Sequence, residues 1–171
     1  TKEEKTEKNK YDLMYIGRDK GRMKKIDELM KNPEYKDLTV YRYIVADHFW
    51  ETLKKSDYKR ALPYKKVINM QRKTKAILEL VPFKSKGLTL RVMDMMMMEK
   101  KLVTDNEYVR EMDFYKPENI FILGKENKYD IKTFLDIPFK RIEEDVRNEY
   151  SFEAWVRRFV ENKPQSGDCY D

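Results

Sequence analysis

The chain has 171 residues, 37 basic and 31 acidic, for a net charge of +6, and 40% of its residues are charged. Forty Leu, Ile, Val and Phe residues, with 12 Tyr, 10 Met and 2 Trp, still supply apolar area for one folded domain. No apolar run nears the roughly 20 residues of a membrane span, and no segment has a signal peptide's apolar core. The lone Cys169 and the lone His48 exclude an internal disulfide and a metal site built from cysteines or several histidines. A cytoplasmic setting with no cofactor, metal or membrane is therefore expected.

Residues 1–10 are a Lys/Glu tail with nothing to bury, expected to be disordered. Tyr11 to Ile16 is a short apolar stretch ending at Gly17. Met23, Ile26, Leu29 and Met30 predict a helix over 19–31, capped by Asp19 and ended by Asn32-Pro33. Tyr41, Ile44, Val45, His48, Phe49, Thr52 and Leu53 predict a longer helix over 39–53. After Pro63, Val67, Met70, Thr74, Ile77, Leu78 and Val81 mark another helical face.

Residues 76–93 read either as the continuation of that helix or as a hairpin. The hairpin would pair 76–81 with 88–93 around Pro82 to Gly87. A Met-rich helix over 94–103, a buried strand at Asn119 to Leu123 and a helix after Pro138 follow. Ser151 then caps a last helix with Phe152, Trp155, Val156, Phe159 and Val160 on one face. These elements predict a mainly helical α+β fold with a winged-helix-like helix–hairpin core. The expected divisions are 11–93 for the basic region, 94–162 for an acidic helical region packed on it, and 163–171 for a flexible tail.

The charge is unevenly placed. Residues 54–91 hold 12 basic and 2 acidic residues, against 12 and 11 in 1–53 and 13 and 18 in 92–171. Such a band attracts polyanions. Lys65, Lys66, Asn69, Arg72 and Lys73 fall on one predicted helix, and Lys75, Lys84, Lys86 and Arg91 extend the band. Long basic stems meet phosphates without desolvation, and an amide at Asn69 suits a base edge.

Met95, Met96, Met97 and Met98 cannot all point inward on a helix, so at least one is expected to face outward or towards a partner, and Trp155 and Phe159 are expected in the core or at a subunit contact. His48 and Glu51 lack a second half-site for a metal pair, and His48 reads as a core or interface residue. Gly17-Arg-Asp-Lys-Gly21 reads as too short and too poor in glycine for a phosphate loop.

Asn32-Pro33-Glu-Tyr35-Lys36-Asp-Leu38-Thr39 and the predicted helix after it resemble the opening of the winged-helix domain of some plasmid and phage replication initiators. The likeness covers about 20 residues and implies DNA replication. The expected function is a non-enzymatic accessory protein of a phage or mobile element, acting in replication or transcription. It binds nucleic acid, DNA before RNA, through 54–91, in the host cytoplasm if phage-encoded and as a monomer or homodimer. The alternative is a modulator whose Met and aromatic residues dock on an acidic surface of host replication or transcription machinery, steered by the basic band.

Overall fold

Leu13, Met14, Tyr15 and Ile16 are four consecutive buried residues, a pattern that suits a strand covered on both faces. They form the middle of β1, Tyr11–Arg18. In the computed structural model, which describes residues 9–48, 57–81 and 87–161, β1 is followed by helix α1, Arg22–Lys31, and by β2, Val40–Val45. Then come α2, Tyr64–Gln71, and β3, Thr74–Glu79. Helix α3 spans Leu90–Met98, and β4 spans Lys101–Thr104. A 3-10 turn at Glu107–Glu111 leads to β5, Ile120–Ile122. Helices α4 (Ile131–Asp136), α5 (Glu144–Glu149) and α6 (Phe152–Glu161) complete the described chain.

The strands form one sheet in the order β2-β1-β3-β4-β5, and every pairing is parallel. This is an α/β, Rossmann-like pattern and not a mainly helical winged-helix. Alternation along the strands divides the core in two. Leu13, Tyr15, Ala76, Leu78 and Val103 pack on one face with Ile26 of α1 and with Ile131, Phe134 and Leu135 of α4. Ile77, Leu102, Ile120 and Ile122 pack on the other with Val92, Met95 and Met96 of α3, Val109 and Phe114. The sheet draws strands from both sides of the 93/94 boundary, joined by the β3–β4 ladder.

Several expected elements are corrected. Residues 40–45, expected in a helix, are strand β2. Val40-Tyr-Arg-Tyr-Ile-Val is rich in β-branched and aromatic residues, and pairing with β1 from Leu13 to Arg18 decides between two spacings that overlap over six residues. Thr74–Glu79 is not the end of the preceding helix, which stops at Gln71, nor half of a hairpin. It is a parallel central strand. Leu90–Met98 is a helix because Thr89 caps it, its side chain accepting from the Arg91 N–H at 3.1 Å, and Val92, Met95 and Met96 share its buried face. The segment likened to replication initiators is a turn region entering β2, with Tyr35 buried in the first core.

Among the described residues, the outer side of β2 carries one bridge, Val45 to Lys59. The Lys59 N–H donates to Ile44 O at 2.8 Å, and its ammonium lies 5.8 and 5.3 Å from the rings of Tyr41 and Tyr43. On α6, Ser151 Oγ accepts from the Ala154 N–H at 3.1 Å, and Phe152, Val156 and Val160 are exposed.

Candidate functional site

The order β2-β1-β3 means that the chain leaves β1 towards one side of the sheet and later enters β3 on the other. Connections diverge at that point and leave a crevice outside the carboxyl ends of β1 and β3, the usual ligand position in open α/β sheets. The elements that meet at this position are the loop Gly17-Arg18-Asp19-Lys20-Gly21, the ends of β3 and β4 and the start of α3.

The loop is tightly specified. Lys20 and Gly21 both have positive φ, 40° and 79°, turning the chain into α1. Asp19 Oδ1 accepts from the Met23 N–H at 2.9 Å and Oδ2 from the Tyr58 hydroxyl at 2.6 Å, so one carboxylate ties α1 to the segment that precedes α2. The Tyr15 hydroxyl donates to Arg18 O at 2.7 Å. Burial raises the pKa of that phenol, opposed by the charges of Arg22 and Arg91.

Gly17 has a steric reason to be glycine. A Cβ there would lie 2.9 Å from Tyr15 Oη and 3.0 Å from an Arg91 guanidinium nitrogen. That guanidinium donates to Ile16 O, so it crosses from α3 and covers the end of β1. Arg22 Nε donates to Leu80 O at 2.5 Å, and Arg18 donates to Asp47 O at 2.9 Å and Ala46 O at 3.3 Å. All three arginines are anchored by neutral carbonyls. Among the described residues, none of them has a carboxylate within 4.0 Å. Lys25, by contrast, is paired with Asp105 at 2.9 Å.

The acid beneath this edge is Glu79, 1% exposed. It accepts from the hydroxyl of Thr89, the cap of α3, and from Thr104 Oγ1 at 2.5 Å. Burial raises its pKa, although both threonines and Arg91 pull it back. Glu79 thereby joins the ends of β3 and β4 to the first turn of α3, which carries Arg91. Deeper in α3, Asp94 accepts from the Tyr64 hydroxyl and is likewise raised by burial. Among the described residues, no three His, Cys, Asp or Glu side chains gather to hold a metal ion. No helix there is long and apolar enough to cross a membrane.

The predicted basic band is split between the two ends of the sheet. Lys65, Lys66 and Asn69 are exposed along α2. Arg72 and Lys73 are exposed where α2 turns into β3, at the amino edge, where Lys73 O accepts from the Lys10 N–H at 2.7 Å. Lys75 is tied to Asp136 at 2.7 Å and Asp12 at 3.2 Å. Arg91 is at the opposite, carboxyl edge. Lys84 and Lys86 lie outside the described residues.

Of the candidate partner contacts, Met95 and Met96 are fully buried in the second core and so cannot meet a partner; Met98 packs against that core. Met97 is 49% exposed. The side chains of Trp155 and Phe159 lie outside the described residues, as do Glu51 and Cys169. His48 is exposed beyond β2 and not on a helix.

Sequence reasoning missed Gly17, Arg18, Arg22 and the role of Arg91. The signal was present: two glycines flanking charged residues between an apolar run and a helix are the βα turn of a parallel unit, but only once 11–18 is read as a strand. The chain matches no family model, no curated protein and no solved structure.

Proposed function

We propose that this domain binds a phosphate-bearing small molecule at the carboxyl-edge crevice. The observation that carries the reading is the set of guanidiniums of Arg18, Arg22 and Arg91, fixed on carbonyl oxygens with no described carboxylate within 4.0 Å, around Gly17, where a Cβ would meet Tyr15 Oη and the Arg91 guanidinium. Guanidinium forks match phosphate oxygens, and the position is where doubly wound sheets take ligands. The first turns of α1 and α3 add positive helix ends to the same crevice.

Calorimetric titration with inorganic pyrophosphate and a panel of nucleoside mono- and diphosphates tests this. Binding is expected to weaken about tenfold or more in Arg91→Met, the loss of one charge-assisted contact. Absence of binding to every probe, or equal affinity in Arg91→Met, overturns it.

A second reading is kept by one feature: Lys65, Lys66 and Asn69 are exposed together on α2, with Arg72 and Lys73 exposed just beyond it. They favour a nucleic-acid polyanion, most of all DNA. Lys65→Ala with Lys66→Ala is expected to remove retention on DNA without altering pyrophosphate binding. Retention unchanged in that variant removes this second reading.

A further inference from the structure

The opposite, amino edge of the sheet holds a separate group of cations. Lys101, the first residue of β4, is only 4% exposed. Its ammonium donates to Phe134 O and lies 4.6 Å from the Phe134 ring centroid. Its neighbour Lys100 donates to Thr74 O at 2.8 Å and Asn9 Oδ1 at 2.9 Å. These acceptors are all neutral, and neither ammonium has a described carboxylate within 4.0 Å.

A cavity of about 310 Å³ opens beside them, lined also by Lys75, Leu135, Ile137 and Phe139. Each of the two acids on its wall has a cation of its own, and neither is within 4.0 Å of the Lys100 or Lys101 ammonium. Asp136 pairs with Lys75 at 2.7 Å, and Glu99 faces Arg147 at 3.5 Å.

Burying an ammonium without a counter-charge is unfavourable. Here two successive lysines meet one cavity, Lys101 buried and Lys100 half-buried. Each ammonium has three protons to donate. Lys101 has one and Lys100 two of them placed in the bonds above. The stems alone do not account for this, because a lysine that covers apolar surface keeps its head in water, and the head of Lys101 is buried.

We infer that the amino-edge cavity is a second binding site, for a small organic oxyanion. Its carboxylate or phosphate group meets Lys100 and Lys101, and its apolar part lies against Leu135, Ile137 and Phe139. The inference is independent of the carboxyl-edge reading, which concerns other residues at the other end of every strand. Burial lowers the pKa of both lysines, that of Lys101 to about 8, with Asp136 opposing the shift and Lys75 adding to it. An anion in the cavity would reverse this.

The test is NMR detection of the lysine side-chain resonances in the full chain, titrated separately with sodium butyrate and inorganic phosphate. Either anion at millimolar concentration is expected to shift the Lys101 signal saturably and to move its titration midpoint up by about one pH unit or more. A response to butyrate alone assigns a carboxylate, and a response to phosphate alone a phosphate ester. Lys101→Met is expected to abolish the response at Lys100, and Arg91→Met to preserve it. No saturable shift with either anion overturns the inference. So does a Lys101 midpoint already at the ordinary lysine value with no anion added.

Discussion

At the carboxyl edge of the sheet, Arg18, Arg22 and Arg91 hold their charge at a crevice by bonding to main-chain carbonyls. At the amino edge, Lys75 sits between two carboxylates, while Lys101 is drawn out of water and Lys100 is half-buried. Basic residues therefore sit in two different environments. Guanidiniums resist deprotonation and keep an oriented fork, so they suit an edge that stays charged at any physiological pH. Ammoniums change protonation when desolvated, so the amino edge is the one whose charge depends on its surroundings. A count of basic residues does not separate these cases; the group each cation meets does.

The largest test of the difference is at Gly17. Gly17→Val places a branched side chain where even a Cβ lies 2.9 Å from Tyr15 Oη, and it displaces Arg91. Pyrophosphate affinity is expected to fall by about 100-fold, equivalent to ~2.7 kcal/mol, measured by calorimetry. The Lys101 resonance should be unmoved. A Lys101 shift in this variant would mean that the two edges are coupled.

Next in size is the alkaline side of the stability curve. Lys101 and Lys100 have folded pKa values below the ordinary lysine value, so the unfolded chain binds more protons. The penalty at Lys101 is fully present below about pH 8 and is relieved as pH rises from there towards the unfolded lysine value of about 10.4, and that at Lys100 changes in the same direction. Tyr35 and Tyr64, pushed up to about 12 by burial, act oppositely. Their contribution is complete below about pH 10 and declines above it. The unfolding free energy from urea titrations should thus rise between pH 7.5 and 9.5, by on the order of 1–3 kcal/mol. Lys101→Met should flatten most of that rise while leaving pH 7.5 stability equal or higher.

Glu79→Ala leaves the Thr89 and Thr104 hydroxyls without their shared acceptor and frees the start of α3. A loss of about 1–3 kcal/mol is expected from urea unfolding, with Glu79→Gln losing less. The smallest effect belongs to the loop. Asp19→Ala removes the bond to the Met23 N–H and should cost ~1 kcal/mol, read by the same method. If it matched Glu79→Ala, the loop rather than the start of α3 would be the main tie at this edge.

Local signals were legible where one residue decides. Asn32-Pro33 ended α1, Ser151 capped α6, and Asn119 to Leu123 read as a buried strand because its apolar run is short and stops at Gly124. What failed was the choice of period over six residues. Val40–Val45 satisfies helical and extended spacing together, and its pairing with β1, about 27 residues earlier, lies beyond any local window. The sheet order followed that error, and with it the site. Arg91 was legible as a cation in a basic band. Its meeting with Ile16 O requires α3 and β1 to be neighbours, which no spacing in 54–91 conveys.

The bridge from Lys59 to β2 has a bearing on behaviour at high concentration. An open sheet exposes two rows of unused amides and carbonyls, each a template for a neighbouring molecule to extend. Here one row is interrupted by a lysine whose charge lies over two tyrosines, and the other belongs to a strand of only three residues. Among the described residues, fibre growth by strand addition has little to seize at either end. Replacing Lys59 with an uncharged, β-forming residue would be the change most apt to turn this domain into a self-templating one.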